Sequence, residues 1–274
     1  MENETIIVRQ TDMLQAINRA EVDSQVATAK QYPRDVQSAL NRIKTIATLD
    51  TDTAEDCFYA LRRQGALIEG ISVRLAEIIA GAWGNLRVQT RIVGNDGKTI
   101  TAQGICHDLE TNLAVCVEVK RRITDKHGKT YSEDMQVTTG NAASAIAFRN
   151  AVLKVVPKAV TKRVINEVKD VAVGKSMDLE SRRQNMLAYY SRIGVTEREI
   201  LTYCGVKQAA DIDAAMIFEL SGLKNAIKEG TTTVEETFRS HTANVDEQAE
   251  AARKKAAENK AKAAAAMEAT VSKK

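Results

Sequence analysis

The chain has 274 residues, 44% of them apolar and 27% charged, and carries a net charge of +3 at neutral pH. That length holds one large domain or two modest ones, with enough apolar residues for a core. Because acidic and basic residues nearly cancel, a uniformly basic nucleic-acid binder is excluded, and any basic site must be a local cluster. Aromatic residues make up only 4%, which weighs against extensive stacking of bases on aromatic side chains. The four cysteines, Cys57, Cys106, Cys116 and Cys204, contain no CxxC pair, so neither a disulfide framework nor a zinc knuckle is suggested. A reducing cytoplasm fits that usage. No apolar run approaches the roughly 20 residues that cross a bilayer, and MENETIIVRQ lacks the layout of a signal peptide; a soluble, cytoplasmic protein is expected.

Residues 1–52 are polar and Ala-rich, with helical spacing in Met13, Ile17 and Ala20 and a break at Tyr32-Pro33. Thr53 is placed to cap a helix reaching Arg63, with Ala54, Phe58 and Leu61 on its apolar side; Ser72 is placed to cap another, SVRLAEIIAGAW. A sheet follows. LRVQTRIV alternates apolar and polar residues, the Asn95-Asp96-Gly97 turn leads into TITAQGICHDL, and LAVCVEVKRRI puts Val115, Val117 and Val119 on one face. After the polar loop TDKHGKTYSED, the stretch MQVTTGNAASAIAFRNAVLKVVPKA opens with turn-prone residues and becomes helical from Gly140. Ala145, Phe148, Val152 and Val155 form its stripe, and Pro157 ends or kinks it.

Residues 179–240 read as several short helices, including a capping box from Thr196 to Glu199 and a helix ending at Gly230. The tail, 245–274, is almost entirely Ala, Lys and Glu, and reads as an exposed helix or disorder. The expected fold class is therefore α+β. An antiparallel three-stranded sheet in a β-β-β-α core, residues 53–175, is covered by helices and followed by a small all-α region and the tail.

Three constellations carry candidate chemistry. Asp108, Glu118 and Lys120 give an acidic residue followed by E-x-K on a strand, the makings of a divalent-metal nuclease. The same Glu118 and Lys120 also stand where an amphipathic strand puts solvent-facing residues. Cys106 and His107, with Cys116 and His127, offer zinc or nucleophile chemistry, but adjacent strand residues point to opposite faces, so the pair does not converge. The third group is basic: Arg87 and Arg91 on the first strand, Lys120, Arg121 and Arg122 on the third, and Arg149, Lys154, Lys158, Lys162 and Arg163 on the helical segment. Gathered together, these would suit a phosphate backbone. No phosphate-binding loop of the type G-x-x-x-x-G-K-[ST] occurs, so nucleotide hydrolysis is not expected.

The order helix, three strands, polar loop and then QVTTGNAASAIAFRNAVLKVV resembles the Erf class of phage single-strand annealing proteins, over about Ile71 to Val173. That class is similar in fold to Redβ, RecT and the eukaryotic Rad-group annealing protein. The resemblance implies ATP-independent annealing of single-stranded DNA by a homo-oligomeric ring or filament, with no cofactor and no catalytic residue. It implies phosphate contacts from Arg149, Lys154 and Lys158 on the helical segment and from Lys120, Arg122, Arg87 and Arg91 on the sheet. It also implies a C-terminal region that recruits a host single-strand binding protein or a companion exonuclease. The rival expectations are the nuclease and a phage adaptor without DNA affinity.

Overall fold

The structure is a computed structural model that describes residues 2–63, 66–125, 127–173 and 179–239. The chain opens with a long helix, α1 (Glu2–Gln31), then α2 (Val36–Ala47) and the single-turn α3 (Thr51–Asp56). Asp35 and Asp50 cap α2 and α3, accepting from the amides of Ser38 and Thr53 at 2.6 and 2.7 Å. The helix expected from Thr53 to Arg63 is not formed. After Asp56 the chain enters a hairpin, β1 (Phe58–Arg63) and β2 (Ala66–Ile71), paired antiparallel from Phe58–Ile71 to Arg63–Ala66. Ser72 then caps α4 (Val73–Trp83) as its position predicts, and Leu75, Ala76 and Ile79 are fully buried.

The central sheet has the expected order, β3 (Leu86–Asn95), β4 (Thr99–Asp108) and β5 (Leu113–Arg122), all antiparallel with β4 in the middle. Gly97, at a φ of 79°, makes the β3–β4 turn, with the Asp96 carboxylate accepting from the amides of Lys98 and Thr99. Alternation on β4 is strict: Ile100, Ala102, Gly104, Cys106 and Asp108 are buried, and the residues between them are half-buried. The buried face carries α5 (Glu133–Val155), and α6 (Lys158–Val173) follows Pro157.

Helix α5 begins seven residues before the expected start at Gly140, capped by Ser132 and led by Glu133 and Asp134. Thr138 and Thr139 do not form a turn. Their hydroxyls donate to the carbonyls of Asp134 and Met135 one turn back. The residues that meet the sheet are Gly140, Ala143 and Ala147, smaller than the expected Ala145, Phe148, Val152 and Val155 stripe, of which Val152 and Val155 are buried in the neighbouring cluster. That smallness is required. A Cβ added to Gly104 would stand 2.4 Å from the Ala147 carbonyl oxygen, so α5 and β4 touch backbone to backbone there.

The chain divides into two compact units whose limits differ from the expected segments: residues 1–178 with 214–231, and residues 179–213 with 232–274. The difference lies in α9 (Ala214–Lys228), which packs on β1 in the first unit. There Phe218 meets Phe58 edge to face with centroids 5.5 Å apart, Asn225 donates to the carbonyls of Glu55 and Phe58, and Ser221 donates to Glu55. The second unit contains α7 (Leu179–Arg192), α8 (Glu197–Cys204) and a π-helical turn at Glu235–Arg239. Tyr190, Tyr203 and Phe238 form its centre, and the Thr196–Glu199 capping box is present as the sequence predicts. The tail expected at 245–274 lies outside the described residues.

Candidate nucleic-acid interface

Strand register decides which of the basic residues can act together. Arg87 stands opposite His107, Gln89 opposite Ile105 and Arg91 opposite Gln103; on the other side of β4, Glu118 stands opposite Gln103, Lys120 opposite Thr101 and Arg122 opposite Thr99. Every one of these β4 partners alternates with the residues buried under α5. Arg87, Arg91, Lys120 and Arg122 therefore share the sheet face that α5 does not cover. Gln89, Arg91, Cys116, Glu118, Lys120 and Arg122 are exposed there, and Arg87 is half-buried.

The four cations run diagonally across the face, from Arg87 and Arg91 on β3 to Lys120 and Arg122 on β5. Neighbouring strands lie about 4.8 Å apart and a strand rises about 3.3 Å per residue, so the row spans roughly 10 Å across the sheet and roughly 26 Å along it, from the level of His107 to that of Thr99. Two of the guanidiniums are oriented by amides: Arg87 donates from Nη1 to Gln25 Oε1 at 2.9 Å, and Arg91 from Nε to Gln103 Oε1 at 2.9 Å. Glu118 is the only carboxylate among the three strands' residues on this face. Its polar lining also includes His107 and three residues that the sequence pattern did not single out, Thr99, Thr101 and Gln103. The period-2 burial of TITAQGICH contained that signal, because placing Ala102, Gly104 and Cys106 inside places Thr101, Gln103 and His107 outside.

The helical half of the expected cluster is not with them. Arg149, on the opposite side of the sheet, is 8% exposed. Its guanidinium carbon lies 4.8 Å from the centre of the Tyr59 ring, and Nη1 lies 3.6 Å from Glu229 Oε2 in an ion pair whose side chains are 10% and 9% exposed. A group so enclosed holds the fold and is not placed to meet a phosphate. Lys154 and Lys158 are exposed at the α5–α6 junction, as are Lys162 and Arg163, of which Arg163 faces Glu167 at 4.0 Å. Arg121 points to the covered side, where it donates to the carbonyl of Gly230.

The nuclease trio is divided as well. Asp108 belongs to the covered face and is gripped by Arg34, whose Nη1 and Nη2 donate to its two carboxylate oxygens at 3.0 and 3.2 Å. Burial pushes the Asp108 carboxyl up. The Arg34 hydrogen bonds, the amides of Glu110 and Thr111 and the Arg34 charge outweigh that and hold it below the ordinary carboxylate value. Glu118 and Lys120 stand on the other face, so the three do not converge on one ion, and among the described residues no group of three His, Cys, Asp or Glu side chains could hold a metal. Cys106 and His107 part in the same way. Burial, aided by the Asp108 charge, pushes the Cys106 thiol up to about 11, which makes it an inert core residue, whereas His107 lies on the open face.

Among the described residues no helix is long and apolar enough to cross a membrane. Compared with known proteins, the chain matches no family model, no curated protein and no solved structure.

Proposed function

We propose that the protein binds single-stranded DNA along the open face of the β3–β4–β5 sheet and anneals complementary strands without ATP, in the cytoplasm of a bacterial host. The observation that carries this reading is the register that collects Arg87, Arg91, Lys120 and Arg122 on one exposed face with a single carboxylate, Glu118, among them. Along the three strands of this face four cations outnumber one carboxylate, with the Asp96 carboxylate of the β3–β4 turn near enough to Lys120 to feel its charge; the surplus attracts a phosphate backbone and is salt-sensitive by nature. Neutralised phosphates repel a second strand less, so pairing of bases supplies specificity and driving force. The middle of the face holds Ile105 beside Cys116, an apolar floor for sugars and bases where no aromatic platform stands. Host single-strand binding protein or a companion exonuclease would meet the helical region that follows α6.

The deciding experiment is annealing of complementary oligonucleotides, followed by fluorescence quenching in the presence and absence of the protein. Acceleration that is independent of ATP and magnesium and falls in an Arg91→Ala, Lys120→Ala, Arg122→Ala variant is expected. Strand cleavage, or acceleration untouched by the triple substitution, overturns the assignment.

A further inference from the structure

Helix α1 is 30 residues long, about 45 Å at 1.5 Å per residue. Its described residues meet the body only near the C-terminal end: Val22 and Val26 are half-buried, Ala29 is buried, and Gln25 holds Arg87. Every residue from 12 to 21 is exposed. A segment bathed on all sides gains little helical stability from its own fold. Yet it carries Met13, Leu14 and Ile17, which are 60%, 59% and 48% exposed, at the spacing that puts them on one face. That face is turned about 140° around the helix from the one bearing Val22, Val26 and Ala29. Glu21, one turn beyond Ile17, completes the stripe.

A stripe of matching composition runs along α2. Arg42 is exposed, Ile46 follows it by four residues and Leu49, just past the helix end, by seven; Ile46 and Leu49 are 41% and 70% exposed. Counting back from Glu21, Ile17 and Leu14 fall at the same intervals of four and seven. Laid antiparallel, one register therefore brings Glu21 to Arg42 and Ile17 to Ile46 on α2, and carries Leu14 past the Thr48 cap towards Leu49, which the chain exposes just beyond the helix end. Neither Glu21 nor Arg42 forms an ion pair among the described residues, so the charge complementarity is unspent. Within the chain the two stripes do not pair, since both are exposed. The connection between the helices is pinned by Arg34, which donates to the carbonyls of Trp83 and Gly84 as well as to Asp108.

We infer that α1 of one copy docks antiparallel on α2 of a second copy of this chain, with Ile17 and Leu14 covered by Ile46 and Leu49 and with Glu21 paired to Arg42. The contact joins two different patches, so it either closes twice about a two-fold axis or passes head to tail from copy to copy. It uses none of the sheet-face residues proposed to hold DNA, and the two readings fail separately.

The test uses the full chain in a Cys116→Ser, Cys204→Ser background. Ile17→Cys and Ile46→Cys proteins are prepared apart, mixed and mildly oxidised. A disulfide-linked dimer in the mixture, absent from either protein alone, is expected; its absence from the mixture overturns the docking. The doubly substituted chain serves as the check on the occupant, because an internal disulfide without linked dimers would assign the contact to one chain. In sedimentation velocity, Glu21→Arg and Arg42→Glu are each expected to weaken association about fivefold, and the two together to restore it. Single variants that associate like the parent, or a double variant no tighter than the singles, also overturn the pairing. In the Glu21→Arg and Arg42→Glu proteins, which keep Cys116, single-stranded DNA affinity of the isolated copies is expected to stay within about twofold of the parent, which separates this result from any failure of the DNA reading.

Discussion

Arg149 and Glu229, eighty positions apart, form an ion pair in the interior of the first unit, with Nη1 of one 3.6 Å from Oε2 of the other. Glu229 also accepts from the amide of Val73 at 2.8 Å, at the first turn of α4, so the pair joins the end of α9 to both α5 and α4. Removing one partner leaves the other charge buried and uncompensated. Arg149→Ala should therefore lower unfolding stability by about 3 kcal/mol or more, read from denaturant midpoints. Where the variant remains folded, its salt dependence of DNA binding should match the parent, while Lys120→Ala should flatten it. A stable Arg149→Ala protein with a flattened slope would return Arg149 to the DNA surface.

This pair also marks the limit of what the sequence can disclose. Ser72, the Asn95-Asp96-Gly97 turn, the valine alternation of β5 and the Thr196–Glu199 box were all legible, because each is settled by neighbours within a few residues. The β1–β2 hairpin was not. Ala54, Phe58 and Leu61 have helical spacing, but Phe58 and Ala60 are buried by α9, whose residues lie some 160 positions downstream. Arg149 reads as a helix charge until Glu229 and Tyr59 are seen around it. The sheet-face cations were legible because strand periodicity alone fixes their side; that they are alone on it required knowing that α5 covers the other.

Acid should loosen the Arg34–Asp108 clamp. The folded Asp108 carboxyl titrates below its ordinary value, so the stability it contributes is present above the unfolded value of about 4 and is lost as pH falls through the folded one. Asp108→Asn, which keeps the shape and removes the charge, should cost stability at pH 7 and progressively less toward pH 3. Urea midpoints for both proteins across that range check the convergence; parallel curves would mean that the clamp is not electrostatic. Glu229 has the opposite sign. Burial, opposed by Val73, Arg149 and Arg74, raises it above the ordinary glutamate value, and its contribution declines as pH rises through that raised value.

Two glycines separate close packing from helix propensity. At Gly104 an added methyl would lie 2.4 Å from the Ala147 carbonyl oxygen and 2.6 Å from its carbon, both backbone atoms that cannot turn away. Gly104→Ala should cost about 2 to 3 kcal/mol as α5 is pushed off the sheet. Gly81, on the exposed side of α4, has nothing within 4 Å of its added Cβ, and Gly81→Ala should stabilise by about 0.5 to 1 kcal/mol. Thermal melts of the two variants should move in opposite directions.

Ending the chain after residue 178 tests whether α9 belongs to the core. Such a truncation looks harmless if everything beyond α6 is an appendage, but α9 supplies Phe218 against Phe58, Asn225 to two carbonyls of the α3–β1 segment, and the bidentate partner of Arg62, Glu219, at 2.6 and 2.9 Å. Its Gly222 brings the helix so near β1 that an added Cβ would stand 2.7 Å from the Ala60 amide nitrogen. Without α9, the buried side chains of Phe58 and Ala60 would lie open to water. The truncated protein should lack a cooperative melt and bind a hydrophobic dye, and the full-length Gly222→Val variant should shift in the same direction for the same reason. A truncated chain that melts like the parent would show that the sheet and its first six helices are sufficient, and would detach α9 from the core that positions the DNA face.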